Sequence, residues 1–182
     1  MYKLSVYEKA MPGHIGWKEK LTAAKEAGYD GVELSVDESD ERLSRLDWSA
    51  AQRLDLLRAS RETGVRLPSL CLSGHRRYPL GSRDPETVRR GMAILEKAVR
   101  LAGDLGIRLI QLAGYDVYYE PSAPDTAARF AENLQHAVSI AAADGVTLGF
   151  ETMETEFMNT VKKAMTYVSL VNSPYLNVYP DI

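Results

Sequence analysis

The sequence predicts an α/β protein in which short parallel strands alternate with amphipathic helices. Three observations support this fold class: apolar strand-like runs, helical stripes between them, and a glycine at each junction from helix to strand. The junction glycines are Gly28, Gly64, Gly106 and Gly145, at the position after a helix where a left-handed backbone is common. The runs that follow them are rich in Val, Ile and Leu, as expected of strands buried on both faces.

Six strands are predicted, with successive starts about 30–40 residues apart, which is the size of a βα unit. Their expected ranges are 2–7, 30–36, 65–73, 107–113, 146–152 and 176–182. The clearest helical stripe between them consists of Val88, Met92, Leu95, Val99 and Ala102. Asp84 before Pro85 indicates the start of that helix, and Ser49 with Gln52 has the form of a capping box.

Repeated βα units of this size leave two architectures open, an open doubly wound sheet and a (β/α)₈ barrel. A dinucleotide-binding open sheet typically carries G-x-G-x-x-G after its first strand. The segment YEKAMPGHIGW after the first predicted strand does not match, and the sequence has no P-loop motif. In either architecture, functional side chains gather at the carboxyl ends of the strands.

Composition and charge exclude several classes of function. The 182 residues are 45% hydrophobic and 26% charged, with a net charge of −3, so a nucleic-acid partner is not expected. The single cysteine excludes a disulfide framework and a cysteine-based zinc site. The sequence has neither a run long enough for a membrane helix nor the apolar core of a signal peptide. We therefore expect one soluble cytoplasmic domain, 1–182, with no membrane partner.

An acidic residue closes each of the last two predicted strands. Glu151 follows the apolar run 146–150, and Asp181 follows the run 176–180. A buried carboxylate is costly without a partner, so Glu151 needs either a basic neighbour or a role as metal ligand or acid/base. Adjacent parallel strands lie about 4.8 Å apart, so the two carboxylates could share one cation. Oxygen ligands favour Mg or Mn, and an added histidine brings Zn into range.

A basic segment follows the third predicted strand. It contains His75, Arg76 and Arg77, and arginine guanidinium groups bind phosphate oxygens through two parallel hydrogen bonds. The segment therefore indicates an anion-binding cradle, with Lys9 after the first strand as a weaker candidate for the same role. The alternative interpretation is a solvated basic loop of no particular function.

Long runs of the sequence resemble one enzyme family over essentially the whole chain. The runs are VYEKAMP, DGVELSVDESDERLSRLDWS, RLPSLCLSGHRRYPLGS, IRLIQLAGYDVYYE, LGFETME with Met158-Asn159, and NVYPDI. They resemble the L-ribulose-5-phosphate 3-epimerase family, also called L-xylulose-5-phosphate 3-epimerase, which serves bacterial L-ascorbate breakdown. LSRLDWS and GHRRYPLGS are specific to this family within the larger xylose-isomerase-like barrel superfamily.

The resemblance implies a (β/α)₈ TIM barrel that holds one divalent metal ion, Zn or Mn, and needs no organic cofactor. It implies that Glu151 and Asp181 are metal ligands, that Glu151 is also catalytic, and that a His and a Glu ending strands seven and eight complete the site. It further implies a sugar-phosphate substrate and a homodimer. The residues expected to contact the substrate are Tyr7, Lys9, His75, Arg76, Arg77, Gln111 and Asn159.

The sequence supplies about six of the eight strands of such a barrel, which typically needs about 250 residues. We therefore expect a chain truncated after strand six, with open edges at strands one and six, poor solubility unless chains associate, and no activity by itself. The complete protein is expected to interconvert L-ribulose 5-phosphate and L-xylulose 5-phosphate by inversion at C3.

Three alternatives to this function are weighed. The first is a ketose–aldose isomerase of the same superfamily, and the second is a catalytically inactive fragment that only binds sugar phosphate. The third, a DNA-repair nuclease of the superfamily, needs a basic groove, and the pI of about 5.7 counts against it.

Overall fold

The protein is described by a computed structural model that covers residues 2–181; Met1, and Ile182 at the end of the sixth predicted strand, lie outside the described residues. Within residues 2–181, six strands form one parallel sheet in the order β1-β2-β3-β4-β5-β6. They are β1 (Ser5–Tyr7), β2 (Gly31–Val36), β3 (Leu70–Leu72), β4 (Leu109–Ala113), β5 (Thr147–Glu151) and β6 (Leu176–Tyr179). A doubly wound sheet reverses its strand order at a switch point, whereas this order is strictly sequential. The predicted α/β class is confirmed, with the strand order of an incomplete (β/α)₈ barrel.

Six α-helices of the described part of the chain lie between the strands. They are α1 (Trp17–Glu26), α2 (Asp40–Leu43), α3 (Ala50–Thr63), α4 (Pro85–Asp104), α5 (Pro124–Ala143) and α6 (Val161–Val171). Short 3₁₀ helices cover Glu8–Ala10, Ser44–Asp47 and Ser73–Arg76. The predicted start signals are confirmed: Ser49 and Gln52 form a capping box, and the Asp84 side chain accepts hydrogen bonds from the first turn of α4.

The junction glycines also behave as predicted. Gly28, Gly64, Gly106 and Gly145 all have positive φ angles, between 65° and 87°. A side chain is strained in this region of the backbone map, whereas glycine enters it freely. These residues therefore let α1, α3, α4 and α5 end, and after all but α3 the next strand begins within about three residues of the glycine.

Side chains alternate between the two faces of the sheet, and the two faces differ in chemistry. The face that packs under the helices is apolar and buried; it includes Val32, Leu34, Val36, Leu70, Leu72, Ile110, Leu112, Leu148 and Phe150. The other face is polar, and parallel pairing aligns Ser35 with Cys71, Cys71 with Gln111, and Glu151 with Tyr179. Tyr179 also hydrogen-bonds Glu33 on the distant strand β2, so the sheet curves and this polar face is its concave side.

All six strands are shorter than predicted, and β1, β3 and β6 are shorter by three residues or more. The third was expected over 65–73, but β3 covers only Leu70–Leu72, with one isolated bridge between Gly31 and Arg66 before it. Pro68 lies between the two parts, and proline has no N–H with which to continue the ladder. Pro180 likewise follows the end of β6, and β1 begins at Ser5 rather than at residue 2.

Exposed apolar side chains lie next to the two outer strands. Within residues 2–181, β1 pairs only with β2, and β6 only with β5. Of the seven large apolar side chains that are exposed in this part of the chain, five precede β1 or belong to α6: Tyr2, Leu4, Val161, Met165 and Leu170. None of the helices in the described part of the chain combines the length and apolarity that crossing a membrane requires.

A buried ion pair joins the loops after β1 and β2. Glu8 is fully buried, and Arg45 Nη1 lies 2.7 and 2.8 Å from its two carboxylate oxygens. The same nitrogen donates to the Ser35 carbonyl at 2.8 Å, and the guanidinium carbon of Arg45 lies 5.2 Å from the ring centre of Trp17. Arg42 Nε adds a longer hydrogen bond of 3.3 Å to Glu8. These contacts fix the position of both loops at the carboxyl ends of the strands.

Arg45→Met is expected to lower the free energy of unfolding by about 3–5 kcal/mol, because it leaves the Glu8 carboxylate buried beside fewer partners. The double variant Glu8→Gln/Arg45→Met should regain much of that loss, since no buried charge remains. Urea denaturation of the three proteins provides the measurement. Arg89→Met is the control, because Arg89 pairs with Glu86 on the surface and should contribute less than about 1 kcal/mol. Equal losses for Arg45→Met and Arg89→Met would contradict this role.

Candidate functional site

Two carboxylates stand at the ends of the neighbouring strands β5 and β6. Glu151 is the last residue of β5 and is half-buried, and Asp181 follows β6 by two residues and is exposed. The Asp181 N–H donates to Thr152 Oγ1 at 3.0 Å, which ties the end of β6 to the residue after Glu151. The two acids therefore lie close together at the ends of adjacent strands, as the sequence predicted.

The surroundings of Glu151 disfavour its charged form. Burial raises the pKa of Glu151 above its usual value, and the nearby Asp181 carboxylate raises it further. A hydrogen bond from Gln111 on β4 acts in the opposite direction. No basic residue of the described chain forms a salt bridge with Glu151. The structure therefore does not support the alternative that Glu151 serves only in a structural salt bridge.

The donor set of Glu151 and Asp181 fits a divalent cation. Two carboxylates that repel each other at one edge of a sheet are stabilised by a shared positive charge, and their oxygens suit Mg or Mn. Within residues 2–181, no three His, Cys, Asp or Glu side chains come together as a metal-binding group. Glu151 and Asp181 are the two acids at these strand ends that could hold such an ion.

Close packing behind β5 positions the loop that follows Glu151. Gly114 comes directly after β4, and a Cβ atom there would lie 3.0 Å from two side-chain atoms of Met158. Met158 is fully buried and its N–H and C=O bond within the loop, to Thr155 and Met153. Any residue larger than glycine at 114 would therefore push this loop away from the strand end.

Tyr7 lies at the concave face beside the ends of β2 and β3. Its hydroxyl is 2.8 Å from Ser35 Oγ, and burial raises the pKa of Tyr7 above its usual value. Cys71, on the neighbouring strand, is buried, and burial raises the pKa of its thiol to about 12. Tyr7 is thus held as a neutral phenol whose hydroxyl faces the interior of the curved sheet.

Lys9 lies at the rim, where it pairs with Asp37. The Lys9 Nζ–Asp37 Oδ2 distance is 2.9 Å, and Arg42 Nη1 approaches the same oxygen at 3.3 Å. Burial would raise the pKa of Asp37, but hydrogen bonds from Ser39 and Lys9 outweigh it and hold the pKa well below its usual range. Lys9 therefore retains a structural partner as well as access to solvent.

The basic segment after β3 does not form the cradle of three side chains that the sequence predicted. Arg77 points to the exposed Asp40, at 2.9 Å. His75 is buried, and its Nε2 lies 3.1 Å from the Gly91 carbonyl in α4. Because a carbonyl only accepts, Nε2 carries the proton of a neutral ring. Arg76 alone remains at the strand ends, with its guanidinium carbon 4.6 Å from the centre of the Tyr118 ring.

The two remaining predicted residues differ in their positions. Gln111 is buried on β4 and hydrogen-bonds the Glu151 carboxylate. Asn159 is exposed in the loop before α6 and contacts the Glu156 carboxylate. Gln111 therefore belongs to the group around Glu151, whereas Asn159 is engaged with its own loop.

Sequence reasoning missed the polar cluster deep in the concave face. Glu33 on β2 accepts hydrogen bonds from Ser69 and from Tyr179, and burial raises its pKa above the usual value. The signal was present in the alternation of GVELSV, which places Glu33 and Ser35 on the face opposite Val32 and Leu34. The cross-sheet partner Tyr179 could be found only from the curvature of the sheet.

A loss of stability between pH 6.5 and pH 4 is expected from His75. Burial lowers the pKa of His75 to about 4, whereas an unfolded histidine titrates near about 6.5. The contribution of neutral His75 is therefore complete above about pH 6.5 and falls as the pH approaches 4, by up to about 3 kcal/mol. Urea denaturation at pH 7 and pH 5 should show a smaller pH effect in His75→Gln. The control His136→Gln, which removes an exposed histidine, should behave like the parent; equal slopes in all three proteins would contradict the assignment.

Comparison with known proteins identifies the family to which the chain is similar. The family model described as xylose isomerase-like TIM barrel matches residues 21–182. SgbU of Escherichia coli (strain K12) is 55% identical over 181 residues, and UlaE of Salmonella heidelberg (strain SL476), named L-ribulose-5-phosphate 3-epimerase, is 52% identical over 179 residues. These matches cover 100% and 98% of this chain but 63% of each relative, so the chain spans somewhat less than two thirds of their length.

Solved structures show the same fold at lower identity. A crystal structure of D-psicose 3-epimerase in the presence of D-fructose matches with a TM-score of 0.84 and 18% identity, over 99% of this chain and 63% of that chain. A structure of L-ribulose 3-epimerase matches with a TM-score of 0.75 and 20% identity, over 100% and 61%. The family match and the sequential parallel sheet agree, and the chain belongs to the xylose isomerase-like TIM barrel family.

Proposed function

We propose that residues 1–182 provide the carboxylate half of the active site of a sugar-phosphate epimerase. The reaction proposed is inversion at C3 of a five-carbon ketose 5-phosphate, which interconverts L-ribulose 5-phosphate and L-xylulose 5-phosphate. The observation that carries this proposal is the half-buried Glu151 carboxylate beside Asp181 at two adjacent strand ends. The names of the relatives that are 52% identical support the substrate class.

Inversion at a carbon next to a carbonyl needs one base and one acid on opposite faces of that carbon. Glu151 is the proposed base, because its carboxylate is half-buried at the carboxyl end of β5, where the reacting carbon is expected to lie. Gln111 fixes the orientation of the Glu151 carboxylate through its hydrogen bond, and the Tyr7 hydroxyl offers a neutral donor for a sugar oxygen. A divalent ion held by Glu151 and Asp181, Zn or Mn, would act as a Lewis acid that increases the acidity of the C3 proton.

The remaining parts of the proposal follow from the same assignment. The acid on the opposite face is the glutamate that the family resemblance places at the end of strand eight. We propose no organic cofactor, a small-molecule sugar phosphate as the substrate, no nucleic-acid or membrane partner, and a cytoplasmic homodimer. Lys9 and Arg76, at the ends of β1 and β3, are the cationic candidates for the phosphate, whereas His75 and Arg77 are left out because the structure gives each another partner.

Residues 1–182 alone are expected to show no epimerisation, because the proposed acid on the opposite face is the glutamate that the family resemblance places at the end of strand eight. The chain is incubated with L-ribulose 5-phosphate and Mn²⁺ in D₂O, and deuterium at C3 is followed by NMR. A turnover near about one per second, at the low end of common enzymes, would show that residues 1–182 suffice and would contradict the assignment of a two-part site.

Joining residues 1–182 to the remaining part of UlaE is expected to restore exchange at C3. In that protein, Glu151→Gln should lower the exchange rate by about 10²–10⁴-fold, the usual contribution of a general base. Glu154→Gln is the matched control, because Glu154 is an exposed glutamate in the same loop and should leave the rate nearly unchanged. A loss with Glu154→Gln and not with Glu151→Gln would move the base to Glu154. Deuterium at C1 or C2 in place of C3 would instead identify a ketose–aldose isomerase.

A further inference from the structure

Three buried side-chain atoms in residues 2–181 lack a hydrogen-bond partner: Arg76 Nε, the Tyr115 hydroxyl and Asp116 Oδ1. Asp116 still accepts a hydrogen bond from Ser122 through its other oxygen, at 2.9 Å. Tyr115 has no such second atom, and its side chain belongs to a residue that is only 2% exposed. Buried hydroxyl groups without a partner are rare, so the Tyr115 hydroxyl calls for an explanation.

Arg76 and Tyr115 belong to the ends of neighbouring strands. Arg76 ends the 3₁₀ helix that follows β3, and Tyr115 is two residues beyond the end of β4. The ring of Tyr118 contacts both: it lies 4.6 Å from the Arg76 guanidinium carbon and 5.2 Å from the centre of the Tyr115 ring. The two unpartnered donors therefore belong to side chains that both contact the Tyr118 ring at the carboxyl edge of the sheet.

The existing neighbours leave part of the Arg76 guanidinium available. Its closest carboxylate is Glu38, and the Arg76 Nη1–Glu38 Oε1 distance of 3.8 Å is too long for a hydrogen bond. Glu38 is instead held by the Tyr119 hydroxyl, at 3.1 and 3.2 Å. The Nε–H of Arg76 has no acceptor from the described chain.

We propose that Arg76 Nε–H and the Tyr115 O–H together bind one phosphate group of the substrate. Both groups donate, one carries a full positive charge, and a phosphate presents several acceptor oxygens to such a pair. This inference deepens the proposed function and rests on it for the identity of the phosphate ester. Tyr115 thereby becomes a specificity residue that separates phosphorylated from free sugars, a role that the sequence had not assigned to it.

The test measures binding rather than turnover, with the 182-residue chain itself. Inorganic phosphate, L-ribulose 5-phosphate and unphosphorylated L-ribulose are titrated into the chain, and affinities are read from NMR chemical shifts. The parent chain should bind the two phosphates and bind L-ribulose more weakly. Tyr115→Phe, which removes only the hydroxyl, should weaken phosphate binding about 10–100-fold, the usual effect of losing a hydrogen bond to a charged group. Arg76→Gln should weaken it at least as much.

Two control variants test whether the loss of phosphate binding is specific to Tyr115 and Arg76. Tyr167→Phe removes a tyrosine hydroxyl from the aromatic cluster with Phe130 and Phe157 behind the sheet, and Arg77→Gln removes the neighbouring guanidinium. Neither variant should change phosphate affinity. Tyr115→Phe should also raise the Tm of the ligand-free chain by about 2–4 °C, because the unpartnered hydroxyl is costly to bury.

Phosphate affinity decides the proposal. Any one of three results would overturn it: unchanged phosphate affinity in Tyr115→Phe, no measurable phosphate binding by the parent chain, or equal binding of L-ribulose and its 5-phosphate. A Tm that falls in Tyr115→Phe would show that an ordered water or another group satisfies the hydroxyl, and this result together with unchanged affinity would assign Tyr115 to stability alone. Loss of phosphate binding in Tyr115→Phe combined with no exchange at C3 in the extended protein would keep this site and reject the epimerase.

Discussion

The alternation of side chains along parallel strands held in one register is the constraint on which the site depends. Residues on the convex face, such as Leu34 and Phe150, are fully buried under the helices. The residues between them therefore point to the concave face, and these include Glu33, Gln111 and Glu151. A slip of one residue in β5 would place Glu151 under the helices and Phe150 in the concave face, which burial of the phenyl ring strongly disfavours. Packing behind the sheet thus determines where the carboxylates point.

Charge is distributed unevenly around the ends of the strands. At β1 and β2, the acids Glu8 and Asp37 are both neutralised by basic partners, Arg45 and Lys9. At β5 and β6, the nearby Asp181 carboxylate raises the pKa of Glu151 beyond the effect of burial. The first arrangement stabilises loops, whereas the second is the one that we propose binds a cation.

The ends of β3 and β4 suit an anion rather than a cation. Arg76 and Tyr115 present hydrogen-bond donors there, just beyond the two strands that precede β5 and β6 in the sheet. A ketose 5-phosphate has its reacting carbon two bonds from the phosphate-bearing carbon, so it could place its phosphate over β3 and β4 and its C3 towards Glu151. The proposed function and the proposed phosphate site therefore describe two ends of one substrate.

Local patterns in the sequence were sufficient to predict the helices and strands and the acids at the strand ends. Four glycines marked the helix-to-strand junctions, and the runs ending in Glu151 and Asp181 located the adjacent carboxylates. The directions of loop side chains were not predictable in this way: His75 turns into α4 because a buried carbonyl is available there, which no short motif reveals. The Glu8–Arg45 pair spans 37 residues, and the Tyr179–Glu33 contact depends on sheet curvature, so both required the three-dimensional structure.

The most direct test of the carboxylate assignment is an electron paramagnetic resonance titration of the chain with Mn²⁺. The parent is expected to bind one ion weakly, and Glu151→Gln and Asp181→Asn should each reduce its affinity by at least about tenfold, since each variant removes a direct ligand. The control Glu154→Gln, with an exposed acid nearby, should bind Mn²⁺ like the parent. Identical Mn²⁺ affinities for the parent, Glu151→Gln and Asp181→Asn would contradict a metal site at the ends of β5 and β6.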